Sequence, residues 1–116
     1  MAETSFAESV GRRREIEITT IGRRSGREIS LPVWFVRSNE TILLLPVYGS
    51  DTNWYKNVLK DPTIKIVAGR AERSSTAVPI TDPPAVRAVV DAFRDKYGPL
   101  ESYYPKTDVA VEVPAT

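Results

Sequence analysis

The segment Glu15–Ile21 alternates polar and apolar residues from Glu15 to Thr19 and ends in Thr20-Ile21, and this alternation constrains the fold more than any other feature of the chain. Successive side chains of a β-strand point to opposite faces, so the pattern is typical of a strand with one buried face. Two further segments rich in β-formers follow after short turns, Glu28–Val36 and Thr41–Val47. The short connections predict an antiparallel meander of three strands, in which Pro32 marks an edge or a bulge.

The second half of the chain mixes helices with strands. A short helix is predicted at Asn53–Lys60, with Asp51 or Thr52 as its N-cap. A longer helix is predicted after Thr81–Pro84, because apolar residues recur at helical spacing from there until Gly98-Pro99; they are Val86, Val89, Val90, Phe93 and Tyr97. The remaining predicted strands are a hairpin of Ile64–Ala68 and Ser75–Ile80 around Gly69, and a final strand at Asp108–Val113.

These elements favour an α+β fold that is mainly β. About six strands with two or three helices fit a closed or partly closed barrel better than an open sheet, because closure removes unpaired edges. The 116 residues match the size of a single domain. We therefore predict an N-terminal segment at residues 1–14, in which Ala2–Gly11 forms a short helix or an arm, and one domain at residues 15–116.

Several classes of function are disfavoured by residues that the chain lacks. It has no cysteine and no histidine, which removes disulfides, thiolate nucleophiles, the commonest general base and the commonest metal ligand. The formal net charge of +1 gives no global field to attract nucleic acid. No apolar run approaches the roughly 20 residues that cross a bilayer, so we expect no membrane span and a cytoplasmic protein.

The sharpest local motif is the turn Gly22-Arg23-Arg24-Ser25-Gly26-Arg27, which lies between the first two predicted strands. Glycine lets a ligand approach the main chain closely, and guanidinium groups match the planar geometry of phosphate and carboxylate. Ser25 adds a hydroxyl donor. On these residues alone the turn is either a seat for an anion or a tight hairpin whose arginines only face water.

Two further motifs contain candidate ligand contacts. Val47–Asn57 runs from a strand into the start of a helix, where open amides favour anions and carbonyl oxygens, and Gly49 would let a flat ring lie against the main chain. Trp54 is also explained by core packing, and we expect Asn57 to bond nearby backbone. The third motif holds three phenols that either line an apolar pocket or pack as ordinary aromatics: Tyr97, Tyr103 and Tyr104, near Lys106.

Taken in order, these motifs resemble the deazaflavin-dependent nitroreductase family of actinobacteria, from about Ile18 to Pro114. The matching segments are Thr19–Gly26, Pro32, Trp54-Tyr55-x-Asn57-Val58 before Asp61-Pro62, and Tyr97 and Tyr103 before Lys106-Thr107-Asp108. The family implies a split β-barrel that binds reduced coenzyme F420, a deazaflavin whose tail carries a phosphate and several glutamates. Split barrels commonly pair, which favours a homodimer.

The resemblance implies an enzyme that transfers hydride from reduced F420 to a small electrophile, such as a quinone, an enone or a nitroaromatic. The implied cofactor-binding residues are Arg23, Arg24, Ser25, Gly26, Arg27, Val47, Tyr48, Gly49, Ser50 and Trp54. The implied substrate-binding residues are Trp34, Tyr97 and Tyr103. No catalytic side chain and no metal ligand is predicted, because the cofactor carries the hydride chemistry.

Two alternatives stay open at this point. One is an FMN-binding flavoprotein of the same fold, and the other is a non-enzymatic split-barrel module that has lost its cofactor. The chain also departs from the family pattern after the arginine-rich turn. Relatives often carry a further basic residue where this chain has Glu28-Ile29, and the added negative charge predicts weaker phosphate binding.

Overall fold

The structure is a computed structural model that describes Phe6, Val10 and residues 13–115. Apart from Phe6 and Val10, the predicted helix or arm at Ala2–Gly11 lies outside the described residues. Val10 is fully buried, and Phe6 packs against the same apolar core. No helix of the described part is long and apolar enough to cross a bilayer.

The described residues form two four-stranded antiparallel sheets. The first sheet has the strand order β2-β1-β5-β6, with β1 at Ile16–Ile21, β2 at Glu28–Val33, β5 at Thr63–Ala68 and β6 at Ala71–Thr76. The second has the order β3-β4-β8-β7, with β3 at Phe35–Ser38, β4 at Thr41–Leu44, β7 at Val78–Ile80 and β8 at Ala110–Pro114.

Two single residues carry the chain from one sheet to the other. Trp34 separates β2 from β3, and Ala77 separates β6 from β7. The register of the first sheet pairs Ile16 with Val33 and Ile21 with Glu28. Continuing this register by one residue sets Trp34 opposite Glu15 and Arg27 opposite Gly22, and the Gly22 N–H does donate to the Arg27 carbonyl at 2.8 Å.

Strands β4 and β5 bury alternate side chains, as the period of a strand requires. The core between the two sheets contains Ile18, Phe35, Ile42, Ile64, Ile66, Val111 and Val113 among its buried members. The opposite face of the second sheet packs against a helix through residues that include Leu45, Phe93, Leu100, Tyr104 and Ala110. The layers are therefore sheet, core, sheet and helix.

Two α-helices are described. Helix α1, Asn53–Lys60, follows a short 3-10 turn at Gly49–Asp51 and buries Trp54, Tyr55 and Val58 in the core between the sheets. Helix α2, Pro83–Tyr97, begins with proline in its first turn and ends at Gly98, which has a φ of 85°. Its stripe of Val86, Val89, Val90 and Phe93 is buried as the spacing predicts.

Several predicted strands are wrong in extent or in partner. The segment Glu28–Val36 is not one strand, because it bends at Trp34 and its two halves belong to different sheets. The meander is therefore absent. Ser75–Ile80 is likewise divided at Ala77, so that the hairpin around Gly69 pairs β5 with β6. Strand β4 ends at Leu44 rather than Val47, and β8 covers Ala110–Pro114 rather than Asp108–Val113.

The closed barrel is also corrected to two separate sheets, and the described residues contain eight strands rather than about six. The predictions of a mainly β fold, of β1, and of both helices are confirmed. Pro32 lies in β2, an edge strand, as expected of a residue without an N–H.

Candidate functional site

An open cavity of about 930 Å³ lies along the first two strands. It reaches from Glu15, just before β1, to Arg23, Arg24 and Ser25, just after it. Because an extended chain rises about 3.3 Å per residue, these two ends are roughly 25 Å apart. The cavity is thus an elongated groove that has a different chemical character at each end.

The long wall of the cavity is apolar and comes mainly from β2. Ile29, Leu31 and Val33 recur at a spacing of two, so they share one face of the strand, and all three line the cavity. Leu45, which directly follows β4, and Trp54 of helix α1 continue this wall. A flat apolar ligand can therefore bury one face here without leaving a polar group unpaired.

The arginine-rich turn closes one end of the groove with a defined backbone. The Gly26 N–H donates to the Gly22 carbonyl at 2.8 Å, and Gly26 has a φ of 72°. A positive φ of this size favours glycine, which explains the residue at this position. The Ser25 hydroxyl oxygen accepts the Arg27 N–H at 3.2 Å, so the turn is stabilised by its own side chain.

Arg23 is half-buried and is bonded to helix α1. Its guanidinium donates to the Asn57 side-chain oxygen at 2.8 Å and to the Asn53 carbonyl at 3.3 Å, and its N–H also donates to Asn57 at 3.2 Å. The Asn57 amide in turn donates to the Thr20 hydroxyl at 3.4 Å. Arg23 therefore joins the turn to the helix, and most of its donors are already used.

Arg24 and Arg27 differ from Arg23 in this respect. Within the described residues, neither guanidinium group makes a hydrogen bond or an ion pair, and both residues are exposed. Arg24 lines the cavity, whereas Arg27 is not among its lining residues. These two guanidinium groups are thus available to an anion. Glu28, which follows Arg27 in the chain, has its carboxylate 3.9 Å from the Lys65 ammonium.

The rim opposite the turn is formed by the loop Val47–Thr52, and its amides are largely occupied. The Tyr48 N–H donates to the Thr52 hydroxyl at 2.8 Å and the Gly49 N–H to the Pro46 carbonyl at 3.0 Å. The Ser50 N–H donates to the Asp108 carboxylate at 3.0 Å. In the described part of the chain, the Val47 N–H makes no such bond, and Val47 lines the cavity.

This loop is fixed to the segment that precedes β8. Asp108 also accepts the Ser50 hydroxyl at 2.6 Å, and Lys106 pairs with Asp51 at 2.9 Å. Although burial opposes it, hydrogen bonding from Ser50 holds the pKa of Asp108 below its usual value. The hydrogen bond from Lys106 lowers the pKa of Asp51 in the same way. These contacts form a polar latch, by which we mean Ser50 and Asp51 bonded to Lys106 and Asp108.

Replacement of Gly49 by alanine should disrupt this latch. Gly49 has a φ of 56°, and an added Cβ would overlap the Asp108 carboxylate and lie 2.9 Å from Lys106 Cγ. We expect Gly49→Ala to lower the free energy of unfolding by about 2–3 kcal/mol in urea denaturation, since strain at a positive φ costs about 1–3 kcal/mol before any overlap. Gly26→Ala is the matched control, because φ is also positive there but the space is open.

Gly26→Ala should lower the free energy of unfolding by about 1 kcal/mol, because it adds a side chain at a positive φ without any overlap. Equal losses for the two variants would mean that Asp108 and Lys106 move aside freely, and the latch would then not fix the rim.

The other end of the groove is aromatic. Trp34 and Tyr103 line the cavity with their ring centroids 5.0 Å apart, and Tyr104 lies beside them. Tyr103 is 58% exposed, so its hydroxyl is open to solvent and to a ligand. Tyr104 is buried, and this burial raises the pKa of its phenol.

Tyr97 supports this aromatic end from behind. Its ring stacks on Trp34 with centroids 4.4 Å apart and an interplanar angle of 7°. Its hydroxyl accepts the Phe35 N–H at 3.1 Å and lies 2.7 Å from the Arg14 carbonyl, to which it donates. Beside it, the Lys96 ammonium donates to the Phe35 carbonyl at 2.9 Å, and burial lowers the pKa of Lys96 to about 8.

The structure brings together most of the residues that the sequence indicates, at one cavity. Those on its lining are Arg23, Arg24, Ser25, Val47, Tyr48, Trp54, Trp34 and Tyr103. Those that do not line it are Gly26, Arg27, Gly49, Ser50 and Tyr97. Lining residues that the sequence analysis did not select include Glu15, Ile29, Leu31, Val33 and Leu45. The alternation of β2 is the signal that could have identified the three aliphatic residues of that strand.

The family described as "Uncharacterized protein conserved in bacteria (DUF2255)" matches residues 7–116. Comparison with curated proteins finds no match. Among solved structures, an F420-H2-dependent reductase, FDR-A, is 25% identical with a TM-score of 0.70, and the match covers 87% of this chain and 94% of that one. A structure described as a domain-swapped dimer has the same identity and TM-score and is covered over 80% of its length.

A conserved hypothetical protein from Mycobacterium tuberculosis, Rv2991, has a higher TM-score of 0.77 at 20% identity, with 99% of this chain and 81% of that one covered. At that identity the match shows the fold alone. The resemblance to deazaflavin-dependent reductases is confirmed, because F420-H2-dependent reductases are among the structural neighbours.

Proposed function

The chain belongs to the DUF2255 family, and we propose that it is a deazaflavin-dependent reductase with a split β-barrel fold. In this proposal residues 15–116 form one domain that holds reduced coenzyme F420 in the groove along β1 and β2. The observation that carries the proposal is the groove itself, which has at one end the Arg24 guanidinium, without a partner among the described residues, and an apolar and aromatic lining along the rest.

The residues present fit such a cofactor in chemical type. A deazaflavin of this kind has a flat ring at one end and a phosphate with several carboxylates at the other. Arg24 and Arg27 can receive the anionic groups, because charge-assisted bonds from guanidinium to phosphate are among the strongest in proteins. Arg23 contributes charge to the same place but is oriented by Asn57. The apolar wall of Ile29, Leu31 and Val33 suits a ring system.

The rest of the site would orient the ring and exclude water. Among the N–H groups of Val47–Ser50, only that of Val47 has no acceptor among the described residues. We therefore propose that the Val47 N–H donates to the polar edge of the ring. Trp54, buried within the wall, would pack against the ring. We do not assign ring contacts to the Tyr48, Gly49 and Ser50 amides, since all three donate within the protein.

Reduced F420, when bound, supplies the hydride that such a reductase transfers. The acceptor would lie against Trp34 and Tyr103, and its reduction also requires a proton. The exposed Tyr103 hydroxyl or solvent is the source that we propose. Tyr104 is unsuited to this role, because burial raises the pKa of its phenol. A quinone, an enone or a nitroaromatic has the flat shape and low-lying acceptor orbital that this arrangement requires.

Fluorescence titration of the purified protein with reduced F420 tests the proposal directly. Both tryptophans of the chain line the groove, so their emission reports occupancy with no added label. We expect saturable quenching with a Kd of about 1–10 μM, in the range that a few charge-assisted bonds and a buried ring provide. A deazaflavin that lacks the phosphate and the glutamates should bind at least about tenfold more weakly.

Two comparison ligands make the result specific. FMN shares the flat ring and the phosphate but lacks the glutamate tail, so stronger binding of FMN than of F420 would assign the protein to flavin instead. An absence of quenching by either ligand at about 100 μM, far above the expected Kd, would reject a cofactor role for the groove. The neighbour described as a domain-swapped dimer also supports a homodimer, which light scattering of the same sample would test.

A further inference from the structure

The two ends of the groove carry opposite charges. Arg23 and Arg24 lie at one end, and Glu15 is the only carboxylate on the described lining, at the other. Glu15 directly precedes β1, and the register of β1 with β2 sets it opposite Trp34. A carboxylate is thus placed beside the aromatic end, roughly 25 Å from the arginines.

The groups around Glu15 suit a positively charged ligand. The faces of tryptophan and tyrosine attract cations, and here Trp34 and Tyr103 line the groove with centroids 5.0 Å apart. Tyr103 is more than half exposed, so one of these rings is free to receive a ligand. An aromatic pair together with a carboxylate is the set of groups that recognises organic ammonium ions.

Two cations lie near this end: Lys96, whose ammonium is 5.0 Å from the Tyr97 ring centroid, and Arg14. Its guanidinium carbon lies 5.7 Å from the Trp34 ring centroid and 5.3 Å from that of Tyr97. Arg14 does not line the groove, however, whereas Glu15 does. The two distances are nearly equal, so Arg14 lies beside the stacked Trp34–Tyr97 pair and not behind it. Of the charged groups at this end, only the Glu15 carboxylate is on the described lining, so a molecule inside the groove meets it directly.

We propose that the aromatic end of the groove selects flat electron acceptors that carry a positive charge, and that Glu15 is the residue that sets this selectivity. The acceptor role rests on the proposed reductase function, but the charge selectivity of the groove does not require it. The selection acts on binding alone and adds no chemical step to the reduction. Acceptors with a carboxylate or a sulfonate should bind most weakly.

Three naphthoquinones that differ only in one substituent provide the test: an uncharged methyl compound, one with a trimethylammonium group and one with a sulfonate. Their binding is measured by quenching of tryptophan emission, with and without F420. At about 20 mM salt we expect the cation to bind roughly three- to tenfold more tightly than the neutral compound, and the sulfonate more weakly than both. At about 300 mM salt these ratios should shrink, because Glu15 is exposed and its field is screened.

Glu15→Gln should remove most of the preference for the cation while leaving binding of the neutral compound within about twofold. Glu17→Gln is the matched control, since Glu17, two residues further along in β1, is an exposed glutamate that does not line the groove. Glu17→Gln changes the net charge by the same amount as Glu15→Gln and should leave the preference for the cationic naphthoquinone intact. Glu15 would lose its assigned role if Glu17→Gln had the same effect, or if Glu15→Gln had none.

The outcomes separate this inference from the reductase proposal. If F420 binds and the three naphthoquinones bind equally, charge selectivity is wrong and the reductase proposal stands. If F420 fails to bind but the charge order and its dependence on Glu15 persist, the groove is a site for organic cations and the reductase proposal is wrong.

Discussion

Replacement of Asn57 by alanine should destabilise the protein by about 3 kcal/mol, the largest loss that we expect from changing a single polar residue. Asn57 is only 3% exposed, and its amide joins the arginine-rich turn, helix α1 and Thr20 of β1. Hydrogen bonds to charged groups contribute about 1.5–3 kcal/mol each, and the variant also leaves the buried Thr20 hydroxyl without this donor. Alanine favours helix slightly over asparagine, which reduces the loss by a few tenths of a kcal/mol.

Asn53→Ala is the control for this experiment. Asn53 lies one turn earlier on the same helix and also contacts Arg23, but it is exposed. Its loss should stay below about 1 kcal/mol, since exposed polar contacts are exchanged for water at little cost. Urea unfolding followed by far-UV circular dichroism measures both variants. If Asn57→Ala stays within about 1 kcal/mol of the parent protein, the buried amide does not join the turn to the helix.

Replacement of Arg24 by glutamate should weaken binding of reduced F420 by about 30- to 100-fold, the largest effect that we expect on ligand binding. Arg24 is the cavity-lining arginine whose guanidinium has no partner among the described residues. Removing a charge-assisted bond to phosphate costs about 1.5–3 kcal/mol, and the introduced carboxylate adds repulsion. Each 1.4 kcal/mol corresponds to a factor of ten in Kd.

Arg87→Glu carries the same change in net charge on the exposed face of helix α2, away from the groove. It should change the Kd by less than about twofold at physiological salt, because screening limits the reach of an exposed charge. Binding of the deazaflavin without phosphate and tail should be nearly unaffected in either variant. If Arg24→Glu weakened binding of both ligands equally, the arginine would contact the ring end instead of the anionic tail.

Local patterns in the sequence predict individual elements of this fold but not their partners. The alternation before Gly22 identifies β1, and the apolar spacing after Pro84 identifies helix α2, because each pattern reflects one face buried by neighbours. The division of Glu28–Val36 at Trp34 is not visible in this way. Both halves are rich in β-formers, and their separation depends on which sheet each half pairs with, a long-range property of the fold.

The candidate site shows the same limit. The arginine-rich turn and the aromatic residues were identified from motifs, and most of them line one cavity. The expectation that the Gly49 and Ser50 amides face a ligand does not agree with their bonds, since Asp108 and Pro46 accept them. Asp108 lies 58 residues from Ser50, so no local pattern could indicate this competition. Glu15 was missed because a glutamate at the start of a strand is ordinarily a solvated residue.

The single-residue crossing at Trp34 has a consequence for how ligands of the groove can be found. Because the groove is lined by β2, by Trp34 at the crossing, by the segment that follows β4 and by helix α1, an occupant bridges parts of the molecule that separate when the chain unfolds. Occupancy and melting temperature are therefore linked, and a ligand present at 100 times its Kd contributes about 2.7 kcal/mol of stability. In a protein of this size that corresponds to a rise of several degrees. Thermal melts over a panel of small molecules would thus rank ligands before any turnover is known.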